Sequence, residues 1–224
     1  MLLETRDAPP FYKNGYVLAC DETREAVIID PGDEVDELLR VVADRGLTVR
    51  HILLTHAHVD HVAGVARAKA VTVASISLHR DDRTLYDGAL QQASFFGLDI
   101  EPPPPVDRFY DLSAAITFGG HDVKVLHTPG HTPGGVCLLV GLAGRQGDKV
   151  FAGDTLFAGS IGRTDLMGGD YDTLIDSIRN VLFALEDDVE VYSGHGPSTS
   201  IGQERRTNPF LVGRGRLGRL PATS

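Results

Sequence analysis

Short apolar runs alternate with longer amphipathic stretches along most of this chain. Residues 16–19 and 26–29 are two such runs, joined by the polar turn Asp21-Glu22-Thr23-Arg24, and they predict a β-hairpin ending at Asp30-Pro31-Gly32. Val35, Leu38, Leu39 and Val42 then recur at helical spacing, with acidic residues in the first turn and Gly46 past the last, which predicts a helix. His51-Ile52-Leu53-Leu54 reads as a buried strand, and the residues from about Asp60 to Arg67 as the start of a short helix. Val71-Thr72-Val73-Ala74-Ser75-Ile76-Ser77-Leu78 is rich in β-branched residues and predicts another strand. This alternation is the rhythm of a layered α/β domain.

The pattern loosens between residues 81 and 110. Glu101-Pro102-Pro103-Pro104-Pro105-Val106 must be extended, and is read as a rigid surface connection in preference to a lid. Phe95 and Phe96 are read as core, with a pocket wall as the other reading. A hairpin is expected around Gly119-Gly120, followed by strands at 136–140 and 150–152. Residues 171–185 place Leu174, Ile175, Ile178, Val181, Leu182 and Leu185 on one helical face, which predicts a helix packed on a sheet. A short strand at 189–192 comes next. Residues 1–212 are read as one domain and 213–224, with Arg214, Arg216 and Arg219 among glycines, as a flexible tail.

Composition narrows the function classes. The 224 residues suffice for a full core, and the formal charge of −10 opposes binding to a phosphate backbone. The amino terminus reaches acidic residues before any long apolar run, and no stretch has the length of a membrane span, so a cytoplasmic protein is expected. Expected partners are therefore neither nucleic acid nor membrane, and self-association stays open. The two cysteines, Cys20 and Cys137, sit in apolar strand-like surroundings and are read as buried free thiols.

The chemistry concentrates in Thr55-His56-Ala57-His58-Val59-Asp60-His61. A single histidine is ordinarily a surface or hydrogen-bonded core residue. Three imidazoles and a carboxylate in one short turn cannot all be buried without partners, and imidazole with carboxylate suits zinc or iron better than calcium or magnesium. Three further loops follow apolar strands and offer His131, Asp154 and His195 beside small or turn-forming residues. His51, His79 and His121 are read as structural. His127, at a strand end, is a candidate for orienting a ligand.

His56-x-His58-x-Asp60-His61, Thr128-Pro129-Gly130-His131, Gly153-Asp154 and Gly194-His195-Gly196, in this order, resemble the signature of the metallo-β-lactamase superfamily. The resemblance spans residues 15–210 and implies an α/β fold, a four-layer αββα sandwich with the metals at one edge. Within the superfamily, Gly153-Asp154-Thr155-Leu156-Phe157 with Gly159-Ser160-Ile161-Gly162-Arg163-Thr164-Asp165 looks like the glyoxalase II, or hydroxyacylglutathione hydrolase, branch. It implies two divalent ions, zinc first with iron or manganese as alternatives. One ion falls on His56, His58 and His131, the other on Asp60, His61 and His195, with Asp154 shared. The implied reaction is hydrolysis of a small-molecule S-acylglutathione thioester by a metal-bridging hydroxide. Asp60 and Asp154 are the catalytic candidates, Asp60 as ligand first and base second. Arg163 is the candidate for a substrate carboxylate, against an ion pair with Asp165 or Asp170.

The match has gaps. Full-length glyoxalase II carries a carboxy-terminal helical extension for glutathione, whereas this sequence stops soon after Asn208-Pro209-Phe210; Asp165 also stands where that family often has tyrosine. Gly162-Arg163-Thr164-Asp165 is shared with persulfide dioxygenases, which would use a single iron on His56, His131 and Asp154. That oxygenase is the first alternative. A metal-dependent nuclease is the second, opposed by the acidic charge, and a non-catalytic metal scaffold is weaker still.

Overall fold

Two six-stranded sheets face one another with helices on both outer sides, in a computed structural model that describes residues 1–145 and 147–212. The first sheet runs β1 (Leu2–Arg6), β2 (Gly15–Ala19), β3 (Glu25–Ile29), β4 (Thr48–Leu53), β5 (Ser75–Leu78) and β6 (Arg108–Phe109) in spatial order. Its first three strands are antiparallel, and β3 to β6 are parallel. The second sheet holds β7 (Ile116–Phe118), β8 (His121–His127), β9 (Val136–Leu142) and β10 (Lys149–Gly153). After a small hairpin of β11 (Leu156–Phe157) and β12 (Ser160–Ile161), β13 (Glu190–Ser193) joins β10 in parallel and β14 (Thr199–Ser200) closes the edge.

Alternation along the strands makes the layers. In β2 and β3, Val17, Ala19, Ala26 and Ile28 face α1 (Val35–Asp44) and its neighbours, burying Leu38 and Leu39. The intervening Tyr16, Leu18, Val27 and Ile29 meet Val123, Val125, Leu138 and Phe151 of the other sheet. On the far side, Cys137, Val150 and Val191 pack beneath α6 (Tyr171–Asn180) through Leu174 and Ile178. The order is therefore αββα, as the resemblance implied. Both cysteines are buried and free.

Between β4 and β5 lie α2 (Val59–Val62) and α3 (Val65–Thr72), and here the sequence expectation of a strand over 71–78 is corrected. Val71 and Thr72 complete α3, and only Ser75–Leu78 is strand. The reason is tertiary: Val65 and Ala68 are buried against the sheet, and the β-branched propensity of Val71 and Val73 is spent on exposed positions. Val73 ends the helix with a φ of 59°.

The loosely patterned region contains a 3₁₀ turn at Arg80–Asp82, then α4 (Arg83–Asp87) and α5 (Ala89–Phe95). Phe95 and Phe96 are 84% and 49% exposed, so neither is core. The proline run forms no helix or strand. The helix expected over 171–185 stops at Asn180, with a 3₁₀ turn at Leu182–Ala184, and α7 (Ile201–Thr207) follows β14. The sequence reading also missed β1, which pairs along its length with β2. The expected tail at 213–224 lies outside the described residues. Among those described, no helix is long and apolar enough to cross a membrane.

Candidate metal centre

All the donor-bearing loops leave the same end of the sandwich. β4 delivers residues 55–61, β8 delivers the loop to His131, β10 ends at Asp154 and β13 at His195. Gly194 lets the last loop reach the others: a Cβ there would lie 2.1 Å from Asp154 Oδ1 and 2.7 Å from His61 Cε1. Gly153 permits a similar approach, since its Cβ would meet Thr55 Oγ1 at 2.3 Å.

Three overlapping groups result: His56, His58 and His131; His56, His61 and Asp154; and Asp60, His61 and His195, each offering ligand atoms within 4.8 Å of one another. Asp154 stands between them. Its Oδ1 is 3.3 Å from His61 Nε2, and its Oδ2 is 3.7 Å from both His131 Nε2 and His195 Nε2. His58 Nδ1 and His131 Nε2 are 2.8 Å apart, and His195 Nε2 is 3.2 Å from Asp60 Oδ2.

Hydrogen bonds on the outer ring nitrogens decide which nitrogen three of the imidazoles, those of His56, His61 and His131, present. Thr55 Oγ1 donates to Asp30 Oδ2 at 2.6 Å and so accepts from His56 Nδ1 at 3.1 Å, which turns the His56 Nε2 lone pair inward. His61 Nδ1 donates to Asp30 Oδ2 at 2.9 Å, and His131 Nδ1 to the Arg163 carbonyl at 2.8 Å. Asp30, at φ 49°, also accepts from Thr55 N at 2.7 Å. One carboxylate thus orients two of the rings.

Charge follows the same division. Burial, then His61, His131 and His58, hold His56 well below the usual histidine range; burial and His131 bring His58 down to about 4. Burial also works against charge on His61, but Asp60, Asp154 and Asp30 outweigh it and push this imidazole up to about 10. For Asp60 and Asp154, burial favours the neutral acid, and nearby histidines, His61 foremost, reverse the balance and keep both low.

His56 Nε2, His61 Nε2 and Asp154 Oδ1 are buried and have no hydrogen-bond partner. Such atoms are costly to bury, and divalent cations held in the cluster would satisfy them. The imidazole and carboxylate donor set suits zinc, iron or manganese. The seven residues therefore fit a metal pair.

The family follows from comparison with known proteins. Residues 8–195 match the metallo-beta-lactamase superfamily. The chain belongs to that superfamily. It is 41% identical over 197 residues to hydroxyacylglutathione hydrolase GloC of Haemophilus influenzae, covering 87% of this chain and 91% of the relative. Among solved structures, the BLEG-1 B3 metallo-beta-lactamase superposes with a TM-score of 0.86 at 37% identity, covering 95% of this chain and 100% of that one. TTHA1623 in a di-iron-bound form gives 0.82 at 40% identity, covering 93% and 100%. At this level the chain is a metal-dependent hydrolase of the superfamily.

Outside the cluster, the alternative reading of Arg163 as an ion pair with Asp165 is present, and His127 is not where a ligand-orienting group would be. The Arg163 guanidinium is bidentate to Asp165, at 2.8 and 2.9 Å, and Asp170 instead caps α6 by accepting from Thr173 N. His127 does not touch a ligand ring: it stacks on His79, with centroids 4.1 Å apart, and donates to the Pro133 carbonyl. Sequence reasoning missed Asp30, Thr55 and Asp82, which hold the loops. Asp30 had a faint signal, a carboxylate between a strand and Pro31-Gly32. Asp82 had none.

Proposed function

We propose that this protein is a glyoxalase II-like thioesterase that cleaves S-acylglutathione esters of the S-lactoylglutathione type. His56, His58 and His131 would hold one divalent ion, Asp60, His61 and His195 the other, and Asp154 both. The observation that carries the reading is the position of Asp154, within 3.7 Å of ring nitrogens from either set. Two ions bound there would acidify a water enough for deprotonation near neutral pH and polarise a thioester carbonyl.

The chain's own residues do the rest. Asp60, ionised and 3.2 Å from His195 Nε2, would serve as a ligand first and as the carboxylate that orients a proton of the attacking water second. Thiolate is a good leaving group, so the reaction asks less of a general acid than amide hydrolysis does. Arg163 is proposed to meet a substrate carboxylate. Its partner Asp165 and the guanidinium are both exposed, and an exposed pair contributes little, so a substrate carboxylate can replace it. Similarity to GloC over nearly its full length supports the thioester substrate.

The one-iron oxygenase reading needs only His56, His131 and Asp154 and leaves the gathering of Asp60, His61 and His195 without a purpose. The test pairs metal analysis of the purified protein with three assays. These are thiol release from S-lactoylglutathione, oxygen uptake with glutathione persulfide, and hydrolysis of a chromogenic β-lactam. Two ions per chain with thiol release is the expected result. Oxygen uptake or β-lactam hydrolysis without thiol release would overturn it.

A further inference from the structure

The cluster's two halves rest on different buried supports. Asp82, fully buried on the turn after β5, forms no ion pair among the described residues. Its Oδ2 accepts from Ala57 N at 3.0 Å and Thr132 Oγ1 at 2.9 Å, and its Oδ1 from Gly134 N at 2.6 Å. Ala57 lies between His56 and His58, and Thr132 follows His131. One carboxylate therefore sets the spacing of two loops that supply all three imidazoles of one half. The packing is close: a Cβ on Gly134 would lie 2.5 Å from Asp82 N.

The other half has a different support. Lys13 and Glu34 are 2% and 1% exposed and pair at 2.7 Å, and the Lys13 ammonium also donates to the Asp30 carbonyl. Glu34 Oε1 accepts from Gly32 N at 3.0 Å, holding a segment so close to the site that a Cβ on Gly32 would lie 2.0 Å from the Asp60 carbonyl. The Lys13 backbone forms a β-bridge with His195, and Asn14 N donates to Gly194 O at 2.7 Å. This support reaches Asp60 and His195 through the backbone and His61 through Asp30, and its one link to the three-histidine half runs by way of Asp30 and Thr55 to His56.

We propose that Asp82 is the positioning residue for the three-histidine half-site and the Lys13–Glu34 pair for the Asp60 and His195 half-site, so that either half can be weakened while the other keeps its ion. This rests on the reading of the cluster as a two-ion centre. Asparagine at 82 has one acceptor oxygen, so its amide nitrogen must face either Gly134 N or the Ala57 and Thr132 donors, and the neutral group holds the two loops by fewer and weaker hydrogen bonds. In the other half, replacing Lys13 and Glu34 together strands no buried charge.

The test uses the full chain and measures zinc binding by competition with a chromophoric chelator. Ring ¹⁵N resonances of the histidines identify which half holds each ion, and thermal melts confirm folding. Asp82→Asn is expected to weaken zinc at His56, His58 and His131 by roughly 10- to 100-fold, with His61 and His195 still zinc-bound. Lys13→Met with Glu34→Gln is expected to weaken zinc at Asp60, His61 and His195 by more than at His58 and His131, with His56 the one ring of that half it can reach, through Asp30 and Thr55. Thr132→Val removes a single donor to Asp82 and should shift the same half by less, which keeps the test open if Asp82→Asn does not fold. Equal weakening of both halves by these variants, or no weakening by any of them, overturns the proposal. A parent protein that binds no zinc overturns the two-ion reading itself, and the proposal with it.

Discussion

His58 Nδ1 and His131 Nε2 face each other at 2.8 Å across 73 residues of chain. The Arg163 carbonyl fixes the proton of His131 on Nδ1, so its Nε2 offers a lone pair to whatever lies between the rings. A shared cation is the arrangement both rings can serve. His131→Ala should therefore leave one ion per chain in place of two and lower kcat/KM for thioester hydrolysis by at least about 100-fold. Metal analysis beside steady-state kinetics checks both halves of this expectation.

Asp30 orients His61 directly and His56 through Thr55, with contacts of 2.9 and 2.6 Å. Asp30→Asn puts an amide where one of these donors now finds an acceptor. The expected outcome is a roughly 10- to 100-fold loss of metal affinity, and about 1–3 kcal/mol of stability for the buried donor left unpaired. Chelator competition and chemical denaturation measure the two effects separately.

Loading the two halves should differ in protons released. His61, pushed up to about 10, is protonated at neutral pH, so an ion binding there displaces a proton. His56, well below its usual range, and His58, down to about 4, release none from their rings near pH 7. As pH rises from about 6 to 9, apparent affinity in the His61 half should climb by about tenfold per unit, while these two rings add no such slope. Calorimetry of metal binding in buffers of different ionisation enthalpy counts the protons.

Much of this architecture is legible in the chain because the relevant signals are local. Tyr16, Leu18, Val27 and Ile29 alternate with Val17 and Ile28, and that period places two sheet faces before any contact is known. His56, His58, Asp60 and His61 declare their chemistry by crowding into one loop. Val71 and Val73 mislead because burial of Val65 and Ala68 outweighs their own strand preference. Asp82 and Lys13 are illegible for another reason. Each is an ordinary charged residue in sequence, and its meaning comes from partners 25 to 52 positions away for Asp82 and 17 to 21 away for the Lys13 ammonium. A polar tie between distant loops has no periodicity to betray it.

Gly194 offers a test in which sterics alone are at stake. Its backbone is pinned on both sides, donating to Gly153 O at 2.8 Å and accepting from Asn14 N at 2.7 Å, so it cannot retreat from the cluster. The methyl of Gly194→Ala would enter at 2.1 Å from Asp154 Oδ1, and the carboxylate between the two halves would have to move. Overpacking of this kind costs about 1–3 kcal/mol, which a domain of this size can absorb. A displacement near 1 Å in the site costs roughly 100-fold in rate. The protein should therefore stay folded and lose most of its activity. Gly46→Ala is the complementary variant: φ is +58° there with no atom within 4 Å of the added methyl, so about 1–2 kcal/mol of backbone strain is expected without loss of kcat/KM. Melting curves and kinetics for the pair distinguish a glycine kept for room at the site from one kept for its backbone angle, and full activity in Gly194→Ala would mean that the Asp154 carboxylate is free to shift.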